Sequence, residues 1–288
     1  MEFRYNRDRS LGKGRKELKK KKTLRYCLRH FFTHNDYLPP ASQLPGTLFT
    51  PLHFLFSATL LTAVVTGGVW AGRKRKHRLR KIFTVLWSVF LVCEVVIVAW
   101  ESFSGKVKKL DLKTNLSLYP CSVYLAALPV WIWGRGAWQK MAAGYLTTIG
   151  MLGGAVNFLY PVTRLTYYSC ISFPGFHTFF YHGAMLFTCI SMLTSGLAKY
   201  RARTLRELFY PCIPCLLMSV PANLVNFSRV GSDYMFFRDS LGFLRMGLPG
   251  LTVLGTTLLT YGLYVIVPML FFLPSYLQSR KSPVLRRA

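Results

Sequence analysis

Long, mostly apolar blocks separated by short basic connections constrain this chain more than any motif in it. A helix rises about 1.5 Å per residue, so roughly 17 to 25 mostly apolar residues are needed to cross the hydrocarbon core of a bilayer. Pro51 to Ala71, Ile82 to Trp100, Leu116 to Trp133, Met141 to Tyr160, Phe176 to Leu197, Leu208 to Phe227 and Leu248 to Leu273 meet that length. Backbone groups in lipid must be satisfied within their own segment, so each block is expected as helix. The expected fold class is all-α, a polytopic membrane bundle of about seven transmembrane helices. The sixth block is the least clean, because Arg206, Pro211, Pro214 and Pro221 crowd its start.

The formal net charge of +27 would suit a nucleic-acid partner, but the placement of the charge argues against one. The basic residues sit in GRKRKHRLRK from Gly72, KYRARTLR from Lys199, SRKSPVLRR from Ser279 and the N-terminal arm, flanking apolar blocks as membrane anchors do. The expected partners are membrane phospholipids, with the basic loops against anionic headgroups, and no nucleic acid. The connections on the C-terminal side carry 17 Lys and Arg, those on the other side 8, and the arm adds 12. The connections favour a cytoplasmic C-terminus, and the arm favours the reverse. The expected localisation is integral and multi-pass, in the plasma membrane if the source is bacterial.

Three regions follow. Residues 1–46 read as a flexible basic arm centred on Lys19 to Lys22, without the 7–15-residue apolar core of a signal peptide. Residues 47–274 are the transmembrane domain, and 275–288 a basic tail. The 7 cysteines fall mostly inside apolar blocks, without the regular spacing of a disulfide framework. Cys212 and Cys215 have C-x-x-C spacing but lie in a proline-broken helix with no second pair to complete a zinc site.

The polar residues within the blocks converge in depth. Cys121 lies about 8 Å inside the start of the third block, and His182 roughly 9 Å inside the fifth. Glu94, Asn157 and Asn226 lie within about 10 Å of the exits of even-numbered blocks, and His53 is near the same side. An ionisable residue kept at that depth is by default a functional-site hypothesis. A cysteine reacts as thiolate, favoured at a helix N-terminus or beside an imidazole, and Pro120 predicts a helix opening at Cys121. His182 suits the role of general base. Glu94 suits holding a histidine in one tautomer, and Asn157, Asn223, Asn226 or Tyr234 suit orienting the imidazole or donating to an oxyanion. Each polar group also has a structural reading as helix-to-helix hydrogen bonding. His53, His177 and His182 lack ligand spacing, so neither a metal nor any other cofactor is expected.

The segments FTPLHFLF, LSLYPCSVY, GGAVNFLYPV, FPGFHTFFYHGAMLF and VNFSRVGSDYMFF, in this order and spacing, resemble the YwaF-type integral membrane proteins of bacteria and their eukaryotic relatives in the transmembrane protein 164 group. The resemblance runs from about Phe49 to Leu273. It departs from the family pattern at Ser117 and Tyr119, where proline and histidine are usual, and at Asp233, where asparagine is common. It implies seven membrane helices and, for the eukaryotic branch, a phospholipid acyltransferase with an intramembrane cysteine nucleophile. Position by position it points to Cys121 as nucleophile and His182 as its base. The leading expectation is a lipid acyltransferase or acyl hydrolase; the alternative is a non-enzymatic transporter or sensor with a polar relay in one leaflet.

Overall fold

The computed structural model describes residues 24–108, 110, 115–228, 232–238 and 252–281, and among these every regular element is helical. The helices are α1 (Leu24–Arg29), α2 (Pro51–Gly72), α3 (Lys76–Ser104), α4 (Val123–Trp133), α5 (Gly136–Thr147), α6 (Ile149–Leu159), α7 (Val162–Leu165), α8 (Phe173–Thr194), α9 (Leu205–Phe209), α10 (Ile213–Asn226) and α11 (Val253–Lys281). Five helical stretches are long and apolar enough to cross a membrane: α2, α3, α5 with α6, α9 with α10, and α11. The shorter apolar α4 joins them, giving a polytopic membrane bundle. Their outer faces carry Leu55, Val65, Val85, Val92, Val95 and Leu258, all exposed and suited to lipid.

The remaining long helix, α8, has 22 residues but falls outside those five because His177, Thr178, Tyr181 and His182 dilute its apolar content. It is the axis of the bundle, packed against α2, α6, α3 and α5. Phe179, Tyr181, Met185, Cys189 and Met192 are buried along it. Ser172 caps its start by accepting from Gly175 N, with Pro174 in the first turn, where a missing N–H costs nothing. Close approach is made by small residues. A Cβ on Gly154 would stand 2.9 Å from the carbonyl oxygen of His182, so α6 meets α8 backbone to backbone there.

Four sequence expectations change. The third block does not form one helix from Leu116: α4 has 11 residues, about 16 Å of rise, and residues 115–122 approach it as irregular chain. The fourth block is broken at Thr148 (φ −120°, ψ −90°), whose Oγ1 donates to Gly144 O, separating α5 from α6. The last helix runs through Pro274 to Lys281, so residues 275–281 continue α11 rather than begin a tail. Residues 24–46, expected within a flexible arm, lie against the bundle. Phe173 N donates to Phe31 O at 2.8 Å, Cys170 N to Gly46 O at 2.7 Å, and Trp100 Nε1 to Phe32 O at 3.2 Å. Burial of Cys27 and Leu44 supplies the apolar part of that contact, which the Lys-rich flank obscures in the sequence.

Candidate functional site

The turn that carries Cys121 is held from several directions. Tyr145 OH on α5 donates to Pro120 O at 2.7 Å, and Tyr181 OH on α8 donates to Cys121 O at 3.2 Å. Both tyrosines are buried. Just upstream, Leu116 N donates to Tyr234 OH at 2.9 Å, and the Tyr119 ring lies 5.1 Å from that of Tyr234. Irregular backbone at membrane depth is tolerated only where protein satisfies it, and these tyrosines supply what a helix would have. The helix therefore opens at Val123 with Ser122 as its cap residue, two positions later than Pro120 predicts.

Cys121 and Cys93 are half-buried, whereas Cys27, Cys170, Cys189, Cys212 and Cys215 are buried. At Cys170, in the loop before α8, burial pushes the thiol up to about 12, so it is inert at neutral pH. Among the described residues no hydrogen bond links the Cys121 thiol to His182. His182 is half-buried, and its Nδ1 lies 2.8 Å from Thr178 O. A carbonyl only accepts, so Nδ1 bears the proton there and the neutral ring keeps its Nε2 lone pair. Its ring packs edge-on to Tyr181, 5.6 Å between centroids.

Glu94 pairs with a different histidine. Its Oε2 lies 3.2 Å from His177 Nε2, within ion-pair range though off the line of a hydrogen bond, and its Oε1 accepts from Ser117 Oγ at 3.2 Å. The pair is largely enclosed, the Glu94 side chain 19% exposed and that of His177 11%. Ser117 thus holds the carboxylate to the irregular segment that leads to Cys121. Two turns along α3, Glu101 forms an ion pair with Arg164. A charged group at this depth needs such partners.

The remaining candidates divide. Asn226 is 1% exposed and spent on backbone: Nδ2 donates to Tyr234 O at 2.8 Å, while Oδ1 accepts from Tyr234 N at 2.8 Å and Ser232 Oγ at 3.1 Å. It fixes a segment in which Met235 and Phe236 have φ of 58° and 57°, strained for residues with side chains. Tyr234 is fully buried within the same assembly. Asn223 Nδ2 donates to Tyr261 OH at 2.6 Å on α11, leaving Oδ1 unpartnered. His53 is fully buried, its Nδ1 accepting from Phe49 N at 3.2 Å and its ring 5.8 Å from that of Phe179. It belongs with the apolar cluster of α2, α6 and α8, whereas Cys121 packs against the larger one. Asn157 on α6 is buried with its Nδ2 unpartnered.

The geometry thus ties the Cys121 segment to Glu94 through Ser117 and to Asn226 through Tyr234, with His182 next to Tyr181 on α8. Sequence reading does not single out Tyr145, Tyr181 or His177 for this layer. His177 carried a signal, since it lies on the same helix as His182 and toward the same side of the bilayer as Glu94. Among the described residues no group of three or more His, Cys, Asp or Glu is placed to hold a metal ion.

Neither the curated proteins nor the solved structures contain a match to this chain. The family model described as the TMEM164 family matches residues 48–277, the whole bundle from just before α2 to near the end of α11, and the chain belongs to that family.

Proposed function

We propose that the protein is a membrane-embedded phospholipid acyltransferase, or acyl hydrolase, with Cys121 as nucleophile and His182 as general base. One observation carries the reading: Cys121 is a half-buried cysteine on an irregular turn clamped by buried tyrosine hydroxyls, at the membrane depth where an ionisable group is otherwise costly. The tautomer of His182, with the proton on Nδ1, supports it by leaving Nε2 able to accept.

In the first step His182 Nε2 takes the thiol proton as Cys121 Sγ attacks the acyl carbonyl. The ester C–O bond breaks, the lysolipid oxygen leaves with the proton from the imidazolium, and an acyl-thioester remains on Cys121. In the second step His182 takes a proton from an incoming lysolipid hydroxyl or water, whose oxygen attacks the thioester, and the thiolate is reprotonated. Since no hydrogen bond joins Sγ to His182, the pair has to close on substrate, as catalytic contacts often do. On connection charge we infer that the C-terminal end is cytoplasmic and the Cys121 layer faces outward.

The test is acyl exchange between a labelled phospholipid and a panel of lysophospholipids, using purified protein in detergent. Cys121→Ser and His182→Gln are expected to lose exchange and the acyl adduct detectable by intact mass. Full exchange by the Cys121→Ser protein overturns the reading. The enclosed Glu94–His177 pair favours a second reading, a proton relay in a transporter or sensor. That reading gains if Glu94→Gln abolishes function while Cys121→Ala does not.

A further inference from the structure

The opposite end of the bundle carries two adjoining clefts, about 330 Å³ and 560 Å³, that share Arg201 and Arg203 in their walls. Lys199 and Lys140 complete the cationic lining of the smaller and Arg280 that of the larger. The carboxylate lining the smaller cleft, Glu207, is already engaged, accepting from Lys140 Nζ and from Arg203 N, each at 2.9 Å. Among the described residues the side chains of Lys199, Arg201, Arg203 and Arg280 form no ion pair.

These cations are not on a loose loop. Ala202 is fully buried between Arg201 and Arg203, packs with Leu208 and Phe272, and donates its N–H to Ser275 Oγ at 2.8 Å on α11. The 195–204 connection is thereby fixed to the end of the last helix. Arg280 is steadied by two contacts to Tyr276 OH, at 3.1 Å and 3.0 Å, which leave its Nη1 free of that hydroxyl. Thr204 Oγ1 accepts from Glu207 N and keeps its own proton to donate. Like charges held together by a rigid frame repel one another until an anion joins them, and guanidinium forks match phosphate oxygens in pairs.

We propose that this double cleft is a phosphate-binding site, taking a phosphomonoester anion at the membrane surface where α11 ends. The cleft volume suits a headgroup-sized ligand. The proposal stands apart from the chemistry assigned to Cys121, since none of its residues belongs to that layer.

The experiment uses full-length protein in neutral detergent with a fluorescent short-chain phosphatidic acid, and with unlabelled short-chain phosphatidic acid, short-chain phosphatidylcholine, glycerol phosphate and inorganic phosphate as competitors. Saturable binding is expected, weakened about tenfold or more in R201Q/R280Q, as for loss of charge-assisted hydrogen bonds. Arg78→Gln, an exposed basic residue on the same membrane side but outside the clefts, is expected to change it less than about twofold. The pair R201K/R280K keeps the charge and loses the forks, giving an intermediate affinity and covering failure of the first variant to fold. Competition by phosphatidic acid but not by the soluble phosphates identifies a lipid headgroup as the source; equal competition by glycerol phosphate or inorganic phosphate identifies a soluble phosphate. Equal loss in Arg78→Gln, equal competition by phosphatidylcholine, or unchanged binding in R201Q/R280Q overturns the proposal.

Discussion

Replacing Tyr145 or Tyr181 with phenylalanine removes one hydroxyl and leaves the ring, so no cavity is made and the change isolates the hydrogen bonds to the Cys121 turn. Tyr145 OH is the donor to Pro120 O, at 2.7 Å, and its loss strands a carbonyl at membrane depth. The expected destabilisation is about 1–3 kcal/mol, the penalty for an unsatisfied buried acceptor. Tyr181 OH shares Cys121 O with the amide of Tyr124, 3.0 Å away, so Tyr181→Phe is expected to cost only about 0.5–1.5 kcal/mol. Tyr145 OH also stands 3.5 Å from Cys121 O and can swing to cover it when Tyr181 OH is absent. The double variant is therefore expected to cost more than the two singles together, by roughly 0.5 kcal/mol or more. Unfolding in mixed micelles titrated with a denaturing detergent gives the four energies. Maleimide labelling of Cys121 in a Cys93→Ala background should speed up in the same order as the turn loosens. A larger cost for Tyr181→Phe than for Tyr145→Phe, or strict additivity, refutes the argument that these hydroxyls replace helical hydrogen bonds here.

Asn226→Ala removes three hydrogen bonds that hold residues 232–234 and should destabilise by about 3 kcal/mol or more, measured by the same titration, with Tyr234 fluorescence or local proteolysis reporting the release. Gly154→Ala forces a methyl group against His182 O and should cost about 1–3 kcal/mol while altering any activity that depends on His182; a neutral result would mean that α6 can move aside. Thiol mapping of the native protein at pH 8 by intact mass should find Cys121 and Cys93 modified and Cys170 untouched, since a thiol at about 12 is ionised at only about one part in ten thousand there.

Hydropathy carried most of the fold to the surface of the sequence. The start of α2 is legible because Thr50 and Pro51 are a cap and a first-turn residue, and the observed helix matches the expected block to within one residue. The break at the third block is not legible, since LSLYPCSVY is as apolar as a helix would be and the tyrosines that stabilise its irregular form come from residues 145, 181 and 234. The same holds for Glu94: its partner was expected to be a histidine, but choosing His177 over His182 depends on which face of α8 meets α3, and apolar spacing does not encode that. Asn226 looked like a catalytic amide because its type permits it; only the positions of Tyr234 and Ser232 assign it to the backbone.

The polar character of α8 bears on how the chain enters the bilayer at all. This helix touches most of the others, yet among the long helices its own composition is the least suited to remain among acyl chains without company. Its imidazoles would be exposed to hydrocarbon until α2, α3 and α6 close around it, at a cost of a few kcal/mol per polar side chain. Membrane insertion of the centre must therefore be a collective event that waits on its neighbours, and truncation upstream of α8 removes the partners that keep it there.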